Sequence, residues 1–305
     1  ARAVPFDVAA AGEALSAAAR PRIHVFVNSS DVHLAHQLRK NREDVVAMAE
    51  FAVRRARRSC DDVEFSPMDA TRADPDFLVE IVRAALAAGA RTINVPDTVG
   101  YVLPDRLAAL FCELRKRVPE LEEAVLSFHG QDDLGLATAN AIAAVGAGVR
   151  QVEVAVNGIG ERAGNTPFEE VVMALHVHGE ALGVHTDVKS GGIAGVSRLV
   201  EERSGIVVPP NKPVVGENAF RHASGIHQDG VIKFRENYEV IDPATVGRSS
   251  EIVLGKLSGR AGFVARIRAL GIELPVDGLD LAFERFQSLA NHKSVVTDDD
   301  LRALL

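Results

Sequence analysis

The alternation of short β-rich runs with amphipathic helical stretches between residues 22 and 180 constrains the fold of this chain most. Such an alternation is typical of a parallel sheet whose strands are joined by helical crossovers. The predicted strands are RIHVFVN (22–28), DVEFS (62–66), TINVP (92–96), AVLSFH (124–129) and QVEVAVN (151–157). Between them lie helical stretches such as REDVVAMAEFAVRRAR and DPDFLVEIVRAALAAGA, where Asp74 can cap the helix and Pro75 occupies its first turn. The sequence therefore predicts five βα units.

Polar residues gather at the end of each predicted strand: NSSD, EFSPMD, PDTVG, HGQDD and NGIGERAGN. A (β/α)₈ barrel carries its active site at the carboxyl ends of its strands, so five polar strand ends favour a TIM-barrel-type fold. A doubly wound open sheet is the alternative, but no Gly-x-Gly-x-x-Gly follows the first strand. A complete barrel needs eight units, and the chain opens in a helix-like stretch, as though about three units were absent.

The pattern changes after about residue 185. The stretches GGIAGVSRLVEERSG and PPNKPVVGENAFRHASGIHQDG predict long irregular connections, and LGKLSGRAGFVARIRALGI and LDLAFERFQSLANHK return to helix. We expect a partial TIM-barrel catalytic domain over residues 1–185, followed by a linker and helical accessory subdomains over 186–305.

Charge and composition narrow the class of ligand. A formal net charge of −8 argues against nucleic acids and anionic membranes as general partners. No apolar run approaches the ~20 residues of a membrane span. The two cysteines, Cys60 and Cys112, are far apart and lack Cys-x-x-Cys spacing. We therefore expect a protein of a reducing compartment. We therefore expect a soluble cytoplasmic protein that acts on small molecules.

The stretch SFHGQDDLG (127–135) raises the question of a metal site. His129 and Gln131 lie two residues apart at a strand end, so their side chains share one face. A His-x-His pair would indicate a metal strongly, whereas a neutral amide oxygen is a weaker ligand for a divalent ion. Taken alone, the pattern leaves open both a metal site and a polar strand end.

Six stretches, in order, resemble the 2-isopropylmalate synthases: HVFVNSSDVHLAHQL, DDVEFSPMDATRADPDFL, INVPDTVGY, SFHGQDDLGLATANAIAAV, VEVAVNGIGERAGNTPFEEVVMAL and PNKPVVGENAFRHASGIHQDGVIK. That group of metal-dependent barrel enzymes also includes homocitrate synthase, citramalate synthase and hydroxymethylglutaryl-CoA lyase. The resemblance implies a divalent metal (Mg, Mn or Zn), acetyl-CoA as co-substrate and 3-methyl-2-oxobutanoate as the 2-oxo acid, in leucine biosynthesis. It also implies a homodimer. Homocitrate or citramalate synthase is the alternative activity.

The resemblance assigns roles to individual residues. The family's metal lies on a His-x-His pair, an Asn of a Gly-Asn pair and an acidic residue. Matching positions here are His129, Gln131 in place of the second histidine, and Asn165, while the acidic ligand has no counterpart in this sequence.

The remaining matches concern the substrates. His24 and Thr98 match residues that line the 2-oxo acid pocket. Glu64 is a candidate acid or base, or orients the substrate. His227 is the candidate base that acts on acetyl-CoA, with Tyr238 as its assistant.

Three positions depart from the family pattern: Gln131, Ala223 and Leu257. Together with the missing acidic ligand, they make activity of this chain alone doubtful. Three explanations remain open. The chain belongs to a longer enzyme, it is one subunit of a split enzyme, or it is a degenerate homologue that serves as a regulatory or structural partner.

Overall fold

The computed structural model describes residues 1–305, apart from the side chains of residues 276 and 277. The chain forms two compact units, Ala1–Thr186 and Asp187–Leu305. Among the helices so described, none combines the length and the apolar character needed to cross a membrane.

Unit 1 is built on a five-stranded, wholly parallel sheet in the order β1-β2-β3-β4-β5. The strands are β1 (Arg22–Asn28), β2 (Asp62–Met68), β3 (Thr92–Asp97), β4 (Val125–Gly130) and β5 (Gln151–Glu153). The helices are α1 (Pro5–Ala14), α2 (Asp31–His33), α3 (Arg42–Arg57), α4 (Pro75–Ala88), α5 (Pro104–Arg117), α6 (Ala137–Gly146) and α7 (Phe168–Leu182). Strand order follows chain order, as in a (β/α)₈ barrel and unlike a doubly wound sheet.

Local sequence explains where these helices begin and end. The side chain of Asn41 accepts a hydrogen bond from Asp44 N at the start of α3. Asp74 caps α4 ahead of Pro75, as predicted, and α4 ends at Gly89 with a φ of 108°. Apolar faces of the helices pack on the sheet around fully buried side chains such as Phe65 and Phe128.

The fifth strand is shorter than predicted. QVEVAVN pairs as a strand only over Gln151–Glu153 and then turns through a 3₁₀ segment, Val156–Gly158. Asn157 has a φ of 61°, and its backbone N–H donates to Glu169 Oε2 at 2.9 Å. Beyond Glu153 the backbone pairs with a different segment, since Ala155 forms an isolated bridge with Pro167 in place of the ladder with β4.

Unit 2 is mainly helical. Its helices are α8 (Ile193–Ser204), α9 (Gly225–Lys233), α10 (Arg260–Ala269), α11 (Val276–His292) and α12 (Asp298–Leu304). The short strands β6 (Arg221–His222) and β7 (Glu251–Ile252) pair in parallel. Phe263 and Phe286 stack at 5.1 Å between ring centroids in its core.

The prediction of long irregular connections after residue 185 was wrong in two places. GGIAGVSRLVEERSG contains α8, because Ile193, Ala194 and Ser197 form one buried helical face, and Gly205 ends the helix with a φ of 72°. SGIHQDG likewise begins α9, where Gln228 and Val231 are buried. Glycines within these stretches obscured the helical periodicity of the residues that are buried.

Candidate functional site

A cavity of about 500 Å³ lies against the carboxyl-terminal halves of the strands in unit 1. Parallel strands bring these ends to one edge of the sheet, which is where barrel enzymes place their active sites. Predicted site residues that line the cavity are His24, Thr98, His129 and Gln131.

The structure pairs two of the three predicted metal residues, and the third, His129, lies two residues before Gln131 at the end of β4. Gln131 and Asn165 form an isolated antiparallel β-bridge, flanked by hydrogen bonds from Asp132 N to Gly164 O and from Thr166 N to Gly130 O. Asn165 thus faces Gln131 across paired backbone and does not begin a helix, since α7 starts at Phe168.

Each of these side chains keeps an atom that can bind a cation. His129 Nδ1 lies 2.9 Å from Glu153 Oε2, which leaves Nε2 as the available ring nitrogen. Asn165 Nδ2 donates to Ile159 O at 2.9 Å, which leaves Oδ1 available. Gln131 Oε1 is buried and has no hydrogen-bond partner. Because buried polar atoms normally find a partner, this oxygen is a structural reason to expect a ligand.

These three donors fit a divalent metal, but all of them are neutral. A nitrogen and two amide oxygens suit Mn²⁺ or Zn²⁺ in type, and without a carboxylate the affinity is lowered. The residues present therefore fit a weakened form of the family's metal site.

The glycine-rich turn after β5 holds Asn165 in place. A Cβ at Gly160 would lie 2.1 Å from Asn165 Nδ2, and one at Gly164 would lie 2.0 Å from Gly158 O. Arg162, whose φ is 57°, donates from Nε to Asp133 Oδ1 at 2.8 Å and from Nη2 to Thr98 O at 2.7 Å. The turn is thereby tied to the loops that follow β3 and β4.

Both predicted substrate residues line the cavity, His24 from strand β1 and Thr98 from the loop that follows β3. His24 Nε2 is 2.6 Å from Ser66 Oγ, and its Nδ1 is 3.7 Å from Glu153 Oε1. Thr98 Oγ1 accepts a hydrogen bond from Asp69 N at 2.9 Å. Both are fixed in position, and their role in binding a 2-oxo acid remains a prediction.

Glu64 is 3% exposed and shares a hydrogen bond with Glu153. Its two oxygens also accept hydrogen bonds from Gln151 Nε2 at 2.8 Å and from Arg22 Nη1 at 3.3 Å. The structure therefore places Glu64 behind Glu153, and any action on a ligand in the cavity would pass through Glu153.

The pKa values of Glu64 and Glu153 are shifted in opposite directions by their surroundings. Burial, with the hydrogen bond and charge of Glu153, raises the pKa of Glu64 to about 7. Burial also acts to raise the pKa of Glu153, but the hydrogen bond with His129 and the charge of His24 outweigh it, so that pKa is lowered. Burial lowers the pKa of His24. Below about pH 7 the proton resides on Glu64, and Glu153 is the carboxylate.

His24, Glu64 and Glu153 offer ligand atoms within 4.8 Å of one another, a second grouping with the composition of a cation site. Arg22, however, already places a positive charge 3.3 Å from Glu64 Oε2. Since that charge repels a cation at the same carboxylate, we regard this group as an ion-paired cluster.

In unit 2, His227 and Tyr238 lie side by side, with ring centroids 4.3 Å apart and planes inclined at 38°. Gly230 makes this possible, because a Cβ there would lie 2.4 Å from the tyrosine ring. Both side chains are exposed. The structure thus pairs the predicted base with its predicted assistant, and their catalytic roles remain predictions.

The sequence analysis missed Glu153, which contacts His24, Glu64 and His129. It lies within the apolar run VEVAV, where a salt-bridged or surface glutamate is the ordinary expectation. The available signal was the period of two in strand β5, which places Glu153 on the same face as Gln151.

Comparisons with known proteins identify relatives for both units. Residues 1–200 match the HMGL-like family, and residues 214–294 match the family described as homocitrate synthase post-HMGL domain-like. The 2-isopropylmalate synthase of Syntrophus aciditrophicus is 51% identical over the whole of this chain, and that of Carboxydothermus hydrogenoformans is 49% identical. The chain spans 59% and 60% of the lengths of these two relatives. The resemblance to 2-isopropylmalate synthases is therefore confirmed.

Solved structures support the fold. The hydroxymethylglutaryl-CoA lyase of Pseudomonas aeruginosa aligns with a TM-score of 0.54 at 21% identity, covering 64% of this chain and 67% of that one. The lyase of Brucella melitensis aligns with a TM-score of 0.52 at 19% identity, covering 64% and 71%. The predicted TIM-barrel-type βα fold is confirmed. On this fold and the match over residues 1–200, the chain belongs to the HMGL-like family.

Proposed function

We propose that the chain contributes the catalytic and accessory regions of a 2-isopropylmalate synthase-like acyltransferase. The reaction would condense acetyl-CoA with 3-methyl-2-oxobutanoate in leucine biosynthesis. Support comes from relatives of that name at about half identity over the whole chain. The observation that carries the proposal is the buried, unpartnered Gln131 Oε1 beside His129 and Asn165.

His129, Gln131 and Asn165 would hold a divalent metal, Mg, Mn or Zn. When bound, such an ion polarises the carbonyl of a 2-oxo acid as a Lewis acid. Thr98 and His24 would orient the acid through hydrogen bonds from the cavity wall. His24 is suited to that task because it is anchored by Ser66 on one side and Glu153 on the other.

The condensation needs a base, and we assign this role to His227 with Tyr238 as its assistant. The base takes a proton from the acetyl methyl group, the resulting carbon nucleophile attacks the oxo carbon, and water then cleaves the thioester and releases CoA. Contact between the two rings would restrict the imidazole to one orientation. Glu64 would act through Glu153, by holding the proton of the carboxyl pair.

We also propose that residues 1–185 act as the catalytic domain and residues 186–305 as the accessory region. We further propose that the protein is a homodimer and is located in the cytoplasm. Both cysteines are free, in keeping with a reducing compartment.

Isothermal titration of Mn²⁺ and Zn²⁺, with and without 3-methyl-2-oxobutanoate, tests the metal site. We expect micromolar binding that strengthens with the oxo acid, falls in His129→Ala and rises at least tenfold in Gln131→His. His178→Ala, an exposed histidine on α7, serves as the matched control and should bind as the parent does.

Release of CoA from acetyl-CoA, followed with a thiol reagent, tests the activity. We expect release that depends on 3-methyl-2-oxobutanoate and is lost in His227→Ala. Metal binding in Gln131→His without any in the parent would refute the proposed activity of this chain and favour a silenced homologue.

A further inference from the structure

Glu153 stands where a single carboxylate reaches two histidines. It is the last residue of β5 and lies opposite His129 in the parallel register of β4 and β5. Its Oε2 is 2.9 Å from His129 Nδ1, and its Oε1 is 3.7 Å from His24 Nδ1. Each oxygen thus faces the same ring atom, Nδ1, of a different histidine.

His24 is held from its far side by a different group. Its Nε2 lies 2.6 Å from Ser66 Oγ, which also accepts a hydrogen bond from Asn94 Nδ2 at 2.8 Å. The hydrogen bond of His24 is therefore made with Ser66, because the 3.7 Å separation between His24 Nδ1 and Glu153 Oε1 is too long for one.

The contact between Glu153 and His129, by contrast, is a hydrogen bond. A carboxylate only accepts hydrogen bonds, so the contact with Glu153 Oε2 requires a hydrogen on His129 Nδ1. The lone pair of the neutral ring is then on Nε2. His129 lines the cavity, so the one unprotonated nitrogen is the one that Glu153 does not cover.

We propose that Glu153 is a positioning residue that holds His129 in the Nδ1–H tautomer and thereby makes His129 Nε2 the electron-pair donor of the cavity. Carboxylates that accept from the second nitrogen of a metal-binding histidine act in this way in metal sites generally. The effect on metal binding rests on the proposed function, whereas the tautomer does not.

Two-bond ¹H–¹⁵N correlation spectra of ¹⁵N-histidine-labelled chain at pH 7.5 report the tautomer of each ring. His24→Gln and His129→Gln identify the two sets of signals. We expect His129 as Nδ1–H in the parent. In Glu153→Gln the amide carries no negative charge and can donate its N–H to His129 Nδ1, so His129 should shift to the Nε2–H form.

Two further variants separate this role from a general loss of structure. Glu153→Asp keeps the carboxylate and should retain the Nδ1–H form of His129, which Glu153→Ala should lose. Gln151→Ala, two residues earlier on the same face of β5, should leave both tautomers unchanged although it removes a hydrogen bond to Glu64. Far-UV circular dichroism melts verify that each variant is folded.

Mn²⁺ titration of the same variants gives the second measurement. We expect at least tenfold weaker binding in Glu153→Gln than in the parent. Parental tautomers in Glu153→Gln, or an Nε2–H ring for His129 in the parent, would overturn the inference. A tautomer change in a chain that binds no Mn²⁺ would support the role of Glu153 and count against the proposed function.

Discussion

Replacement of Glu64 by glutamine should flatten the pH dependence of stability in unit 1. Glu64 is buried against Glu153, and its pKa is raised from 4.5 to about 7. The folded chain therefore binds a proton at Glu64 more tightly than the unfolded chain does. Wherever the folded state binds more protons, the free energy of unfolding falls as the pH rises.

The size of the effect follows from the two pKa values. Each pKa unit corresponds to about 1.4 kcal/mol, so the contribution of Glu64 should decline by about 3 kcal/mol between pH 4.5 and pH 7. The opposite shift of Glu153 acts below its ordinary pKa and so outside this window. Glutamine has the shape of a protonated glutamate but cannot ionise.

Hydrogen exchange of peptides that contain β2, read by mass spectrometry and corrected for intrinsic exchange rates, reports unit 1 separately from unit 2. The protection free energy of the parent relative to that of Glu64→Gln should fall by about 3 kcal/mol from pH 4.5 to 7, because the other titrating groups, His24 among them, contribute to both curves. Glu13→Gln, at an exposed position of α1, is the control and should follow the parent. Parallel curves for the parent and Glu64→Gln would refute the reasoning.

Three other substitutions give measurable outcomes. Phe128→Ala removes a fully buried ring that packs edge-on against Phe111, and should lower the free energy of unfolding by about 3–5 kcal/mol in urea denaturation followed by circular dichroism. Gly160→Ala should displace the amide of Asn165 and weaken Mn²⁺ binding about tenfold by calorimetry, whereas Gly191→Ala, with no atom near its Cβ, should not. Thr297→Ala breaks a capping box and should destabilise α12 by about 1 kcal/mol, seen as faster hydrogen exchange in that helix alone.

The fold was predictable because its signals are local. Strand β1 and helix α3 begin and end where the predicted stretches do. The end of β5 was not predictable, because beyond Glu153 the chain bridges to Pro167 through Ala155, and local sequence does not reveal that partner. Helix α8 was missed because it contains Gly195, a residue type that usually indicates a break in a helix. This glycine has open space around it, so packing does not require it.

The site was predictable where a motif carried it and not where packing did. His129, Gln131 and Asn165 were named through their motifs, and the structure joins Gln131 and Asn165 by a backbone bridge. Glu153 belongs to no short motif of polar residues. It contacts residues of three strands that are distant in sequence. The register between strands cannot be predicted from the sequence of any one strand, so these contacts could not be predicted either.

The position of Glu153 is important for the proposed metal site because Gln131 is a neutral ligand. The donors of the proposed metal site, His129, Gln131 and Asn165, bring no negative charge, so a divalent ion there would be balanced by groups that do not touch it. Glu153 is the carboxylate that contacts His129, and it stays ionised because Glu64 takes the proton of the pair. Glu153 also lines the cavity, and the imidazole of His129 becomes a stronger electron donor when its Nδ1–H is held by an anion. A neutral set of ligands beside a polarised histidine is thus the arrangement through which this chain would bind a metal.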